Sequence, residues 1–407
     1  MPIHDYKDIH SQRQHALHRL RRIAAEKVIS VRDFGTDPHN VFKAHEYVGL
    51  VDGATAIKFT VQFNLFGGSC FALHNGRHDY LFDKIDTFDL IGCFCLTELG
   101  FGNNAVKMET TCTYDDASDE FLVDSPTDLS QKYWISNGYN HADHALVFGQ
   151  TIVKGKNEGV NAFLVPIRDK VAGKELPGVG IRDMGIKFGV NGVDNAILRF
   201  NNVRIPRINM MNKYNDVDRT GTFKSETKNI GSRFFKVTER LLSGRICIAA
   251  LCMGGTRGAL YVAIKYAMQR KSIGPEGLST VPIMNYQLQQ NAILPLLCRS
   301  LALNVMLNKA CDIFANPGAM ADEMLAICCI IKTMVGWNFE RVATVGRERC
   351  GGMGYLSISR FHDYLALAHT SLTAEGDNRV LMIKIVKDMI TGLAKKTWKL
   401  PQTSLNV

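Results

Sequence analysis

Apolar residues recur at intervals of three and four over residues 7–89, the spacing of amphipathic helices, and Gly35, Gly49, Gly53, Gly67 and Gly68 punctuate the run. Between about 92 and 206 the period shortens. Runs at 106–114, 121–124, 133–136, 145–152, 160–167 and 196–200 read as short strands, separated by turn-rich stretches at 115–119 and 154–158, as in an antiparallel barrel. After a polar connector at 210–231 the helical period returns, predicting long helices at about 234–270, 283–314, 320–350 and 378–396. Pro295 is expected to kink the second of these, because proline removes a helical donor. Four long helices in succession predict a bundle. The pattern therefore predicts an α+β chain of three units: an N-terminal helical domain at 1–91, a middle antiparallel β-barrel domain at 92–206 and a C-terminal four-helix bundle at 207–407.

Size supports this division, since 407 residues at 46% hydrophobic content can bury a substantial core. The longest apolar runs, 246–253 and 326–331, fall short of a bilayer, so no membrane span is expected. A formal net charge of +9 suits an anionic partner. Its one local cluster, RQHALHRLRR at 13–22, has no nucleic-acid module around it and reads as a solvated helix face, so no nucleic acid is expected. Eleven cysteines at irregular spacing, without a Cys-x-x-Cys pair, argue against a disulfide framework or a structural zinc site. Cys93 and Cys95 should share one face of a strand, and Cys328 and Cys329 fall in an apolar helix; core packing accounts for both pairs. His74 with His78, and His141 with His144, could each place two rings on one face, but no third ligand is in view and no metal is expected.

Candidate chemistry centres on SLTAEGDN at 371–378. A carboxylate that removes a weakly acidic proton needs apolar surroundings, which disfavour its charged form and raise its basicity. The apolar stretch 364–373 supplies them to Glu375, and Gly376 leaves room for a flat substrate group beside it. The alternative is a turn before the last helix, with Glu375 solvated and Asn378 as the helix cap. The GGMG run at 351–354 follows a helix rather than a strand, so it reads locally as a helix terminator and not as a dinucleotide fingerprint.

Taken in order, VQFNLFGG (61–68), GCFCLTELGFG (92–102), METTCTYD (108–115), EFLVDSPT (120–127), AFLVPIRD (162–169), FGVNGVDNAILRF (188–200), VRIP (203–206), CGGMGY (350–355) and the Glu375 segment resemble the acyl-CoA oxidases of the acyl-CoA dehydrogenase superfamily. The resemblance runs from about 35 to 389, and relative to full-length oxidases the chain is shortened, without their further C-terminal helical domain. It implies FAD as cofactor and a fatty acyl-CoA as substrate, oxidised to trans-2-enoyl-CoA in fatty acid β-oxidation with electrons passed to molecular oxygen as hydrogen peroxide.

Residue by residue, the resemblance makes Glu375 the base that takes the Cα proton. It places Thr97 on the flavin pyrimidine edge, and Trp134 beside the flavin with Ser136 reaching N5. Arg270 is carried over as an FAD phosphate contact across a subunit boundary, implying at least a homodimer; Gln287 is carried over more weakly as a contact of the same cofactor, while Gly351 and Gly352 approach the FAD adenosine end. Tyr133 and Ser136 depart toward the dehydrogenases, which hand electrons to an electron-transfer flavoprotein. Asn103, Ala374 and Arg379 also depart from the usual pattern. The alternatives are thus an acyl-CoA dehydrogenase or a catalytically silent assembly subunit. Localisation is expected in the peroxisome, with the mitochondrion as alternative, although residues 404–407 read Ser-Leu-Asn-Val rather than a Ser-Lys-Leu-type signal.

Overall fold

The computed structural model describes residues 8–238 and 241–395. The tail read for a targeting signal, the end of the last predicted helix and two residues of the first bundle helix lie outside them.

Helix α1 (Ile9–Ala25) starts where Asp8 accepts a hydrogen bond from the Ser11 N–H at 2.8 Å, and it buries Ala16, Leu17, Leu20 and Ala24. The basic cluster along it is only partly a solvated face: Arg13 is buried and grips Asp183 with two bonds of 2.7 and 2.8 Å. Short α2 (Asp33–Thr36) and α3 (Pro38–Val51) follow. Then α4 (Gly53–Phe59), capped by Asp52, widens into a nine-residue π-helix (Thr60–Gly68) before closing as α5 (Ser69–Leu73). The glycine pair permits that coil. A Cβ at Gly67 would stand 2.5 Å from Val31 Cγ1, and one at Gly68 2.8 Å from Phe34. Helix α6 (Tyr80–Asp86) completes the N-terminal part.

Nine strands follow: β1 (Gly92–Cys95), β2 (Thr111–Asp115), β3 (Glu120–Asp124), β4 (Lys132–Ile135), β5 (His144–Val153), β6 (Lys156–Pro166), β7 (Val179–Asp183), β8 (Ala196–Phe200) and β9 (Val203–Pro206). Long β5 pairs antiparallel with β6 on one side, while its other side is shared by β1 near its start and β2 near its end, both parallel. β2–β3–β9 and β4–β8–β7 pair antiparallel, as expected of the barrel, whereas the parallel placement of β1 and β2 on β5 departs from that expectation, because alternation of apolar residues carries no information about partner direction. The two sheets close on one core that includes Cys95, Phe121, Phe163, Leu198 and Phe200. Cys93 and Cys95 both point into it, their sulfurs 3.8 Å apart.

Lys58 of α4 fastens helices to sheet. Its ammonium donates to Asn137 at 2.7 Å and to Asp194, which also receives the Asn140 N–H at 2.7 Å. Lysine and carboxylate are both fully buried.

After α7 (Ile230–Val237), the bundle comprises α8 (Leu241–Gln269), α9 (Gln287–Ala315), α10 (Met324–Arg349), α11 (Phe361–Thr373) and α12 (Asn378–Ala394). α9 runs through Pro295. α11 is a helix beyond the four predicted: its apolar run was legible, but its period is masked by the short length and the irregular segment before it. α8 and α9 are also long and apolar enough to cross a bilayer, a length reached because small and polar residues interrupt the run without ending the helix. α8 buries that surface inside the bundle. Gly254 and Gly255 let it pass closely, since a Cβ there would meet Glu46 O at 1.9 Å and Phe339 at 2.3 Å.

Candidate active site

The turn between α11 and α12 determines where Glu375 points. Ala374 is extended, then Glu375 (φ 58°) and Gly376 (φ 101°) both take left-handed conformations, and Asp377 accepts the N–H groups of Arg379 at 2.9 Å and Val380 at 3.1 Å. Asp377, rather than Asn378, is the cap. Glycine tolerates this course, whereas a glutamate does so only when its surroundings impose it. The turn sends the carboxylate inward: both oxygens are buried without a hydrogen-bond partner, and Oε2 lies 2.6 Å from where a Cβ on Gly244 would be. Burial pushes the carboxyl up to about 7, against the opposing pull of Arg245 and Lys332. A solvated Glu375 is therefore excluded.

Several residues around this carboxylate were not anticipated. Lys332 of α10 is fully buried and donates to Gly376 O at 2.6 Å and Asn378 Oδ1 at 2.7 Å; its one sequence signal is a lysine inside the apolar run ICCIIKTMVGW. Ser243 Oγ donates to Asn64 Oδ1 of the π-helix at 3.0 Å, so the start of α8 lies between that helix and the Glu375 turn. The Asn64 amide nitrogen and Arg245 Nε are buried without partners. The Glu375 carboxylate thus lies in a region that also holds other buried polar atoms without partners.

Thr97, Trp134 and Ser136 are brought together at one end of the sheet. Thr97 follows β1 and its carbonyl accepts the Tyr133 N–H at 2.9 Å. Behind them Lys132 and Glu98 form a fully buried ion pair at 2.9 Å, with Lys132 also donating to Phe148 O at 2.7 Å and Glu98 accepting the Glu109 and Thr110 N–H groups. Trp134 sits where the β4–β8 register shifts, at φ 62°, and leaves its indole 56% exposed. Ser136 Oγ accepts from the Asn195 amide at 3.0 Å. The loop before Asn195 leans on α11 through Phe188 and His369, whose rings are 5.5 Å apart, and through Gly189 against Ala366.

Arg270, Gln287, Gly351 and Gly352 gather at an end of the bundle. Ile283 N–H donates to Arg270 O at 2.8 Å, and Gln289 reaches Arg349 O at 3.2 Å, bringing the start of α9 beside Gly351. Arg270 and Gln287 are exposed, and a Cβ on either glycine would meet nothing within 4 Å. An exposed indole, a solvent-facing guanidinium and open glycines fit a flat cofactor carrying a diphosphate. The histidines are engaged elsewhere: His78 with Ile208 O, His141 with Asp194 and His144 with Asp143, and no cluster of three metal-ligating side chains occurs among the described residues.

A family model described as acyl-CoA oxidase, C-alpha1 domain, matches residues 239–390, and one described as acyl-CoA dehydrogenase, middle domain, matches residues 93–203. Peroxisomal acyl-coenzyme A oxidase 2 of Arabidopsis thaliana is 36% identical, the match covering 100% of this chain and 61% of that protein. The crystal structure of acyl-CoA oxidase1 from Yarrowia lipolytica superposes with a TM-score of 0.82 at 27% identity, covering 96% of this chain and 59% of that one. Acyl-CoA oxidase-1 of Caenorhabditis elegans, solved with FAD and ATP, superposes with a TM-score of 0.80 at 26% identity over 98% of this chain and 60% of that one. The chain thus spans just over half the length of the curated relatives it matches.

Proposed function

Because the chain belongs to the acyl-CoA oxidase family of the acyl-CoA dehydrogenase superfamily, we propose that it oxidises a fatty acyl-CoA to the trans-2-enoyl-CoA with FAD as cofactor and oxygen as final acceptor. The observation that carries this reading is the Glu375 carboxylate, turned inward, unpartnered and raised in basicity by burial.

In this account Glu375 receives the Cα proton as the Cα–Cβ double bond forms. FAD supplies the acceptor for the Cβ hydride, and oxygen takes up the two electrons with two protons as hydrogen peroxide. Thr97, Trp134 and Ser136 hold the flavin end. The buried Lys132–Glu98 pair fixes their spacing from behind. Arg270, Gln287, Gly351 and Gly352 hold the phosphate and adenosine end from a second subunit, so the working form is a homodimer. The division at 91/92 and 206/207 belongs to the same reading: helices and bundle enclose the acyl chain, and the sheet presents the flavin. The relatives named as peroxisomal support a peroxisomal site of action.

Ser136 favours a second reading, a dehydrogenase that uses an electron-transfer flavoprotein. Its Oγ accepts from Asn195, leaving its own proton to donate toward a flavin. Peroxide formation from acyl-CoA in air, measured with and without an electron-transfer flavoprotein, tests the proposal. One peroxide per acyl-CoA without the flavoprotein is the expected result; turnover that depends on it overturns the oxidase assignment.

A further inference from the structure

Three lysines, Lys58, Lys132 and Lys332, are almost completely buried, and two of them bond a carboxylate: Lys58 with Asp194 and Lys132 with Glu98. Lys332 differs. It forms no ion pair among the described residues, and its two short bonds go to neutral acceptors, Gly376 O at 2.6 Å and Asn378 Oδ1 at 2.7 Å. Asn378 is itself buried, and its amide nitrogen points back to Thr333 O at 3.5 Å. A buried cation without a bonded counter-ion costs several kcal/mol, on the order of 3–5 when a pair is broken, so its retention calls for an explanation.

The turn supplies one. Gly376 O belongs to the second of two consecutive left-handed residues, and Asn378 begins the next helix, so one ammonium ties both sides of the Glu375 segment to α10. The ionisable groups facing this site are Cys252 and Arg245 from α8 and Glu375 and Asp377 from the turn. Of the two carboxylates, Asp377 is occupied in capping α12, whereas Glu375 is buried and unpartnered. Neutral acceptors on Lys332 let its charge act on Glu375 through space, which lowers the basicity of that carboxylate less than a direct bond would.

We propose that Lys332 is a positioning residue for the base: it locks the Glu375–Gly376 turn in its left-handed course and presents a fixed positive charge to the Glu375 carboxylate, without touching substrate. The proposal rests on the reading of Glu375 as the base. Burial pushes Glu375 up to about 7 and Lys332 down to about 8, so there is an interval in which both are charged and the pair can act.

The test follows anaerobic bleaching of the flavin by a saturating long-chain acyl-CoA across about pH 5 to 9 in the FAD-loaded protein, for Lys332→Met, Lys332→Arg and Asn378→Asp. Lys332→Met should move the midpoint upward by about one pH unit and lower the plateau rate about tenfold, with FAD content preserved. Lys332→Arg should restore the midpoint but less of the rate, because a guanidinium keeps the charge and changes the reach. If Lys332→Met fails to fold, Asn378→Asp remains informative. Its new carboxylate neutralises the ammonium in place and should also raise the midpoint. Wild-type midpoints in both Lys332→Met and Asn378→Asp, or in Asn378→Asp alone where Lys332→Met does not fold, would overturn the proposal. Glu375→Gln run beside them separates the two levels: if it bleaches normally the base assignment fails, and if it is inert while the other variants keep wild-type midpoints, only the role of Lys332 fails.

Discussion

The Glu375 carboxylate occupies space that any side chain on Gly244 would need: a Cβ there would stand 2.6 Å from Oε2 and 2.7 Å from Oε1. Backbone of α8 thus packs directly against the base. Gly244→Ala should displace the carboxylate and slow flavin reduction by about 100-fold, since small misplacements of a reacting group are costly. The helix itself gains up to about 1 kcal/mol of propensity from alanine, so thermal unfolding should show little loss. A large fall in stability with bleaching intact would refute the arrangement.

Glu375 should also set the pH dependence. A base must be ionised, and burial holds this carboxyl up to about 7, so bleaching should rise with pH and reach half its plateau near that value. An exposed glutamate would instead give a flat profile above about pH 5.5. Linkage has the opposite sign: between the ordinary glutamate value of 4.5 and about 7 the folded chain retains a proton that the unfolded chain releases. The contribution of Glu375 to stability therefore declines as pH rises through that window. Stopped-flow bleaching and chemical denaturation at several pH values measure the two trends.

The parts of this arrangement that a sequence could convey are those with a local signature. Alternation marked Glu120–Asp124 and Ala196–Phe200 as strands, and the long apolar period marked α9 and α10. Partner direction has no such signature, so the parallel placement of β1 and β2 on β5 emerged only in three dimensions. The close approach of Val31 and Phe34 to Gly67 and Gly68 at the end of the π-helix is likewise a contact between segments distant in sequence. The apolar setting of Glu375 was legible, but the function of a lysine more than forty residues upstream was not, because Lys332 acts through a carbonyl and an amide across a helix interface.

Trp134 presents its indole to solvent at 56% exposure from a strained strand position. Replacing it with alanine should change unfolding free energy by less than about 0.5 kcal/mol, as for most surface positions. FAD retention should fall by about tenfold or more, the loss expected when an aromatic stacking surface is removed. Flavin absorbance after gel filtration, with apoprotein titration, provides the measurement; undiminished FAD affinity contradicts the placement.

Lys58 and Asp194 provide a stability test remote from the flavin. Burial alone would raise the Asp194 carboxyl, but Lys58 and His141 outweigh it and hold the group below the usual carboxylate range. Its stabilising effect is therefore present above the ordinary aspartate value of 3.8 and is lost only as pH falls through the lower, folded value. Lys58→Met strands the carboxylate and should cost about 3–5 kcal/mol at neutral pH, a penalty that shrinks on acidification. Urea unfolding of wild type and variant at neutral and mildly acid pH checks both size and direction.

The most direct test of the central claim is anaerobic mixing of FAD-loaded Glu375→Gln with a fatty acyl-CoA, followed at the flavin absorbance band. Glutamine preserves shape and cannot take the proton, so the account predicts a yellow protein that binds the thioester and stays yellow, while wild type bleaches. Bleaching of the variant at the wild-type rate would contradict it.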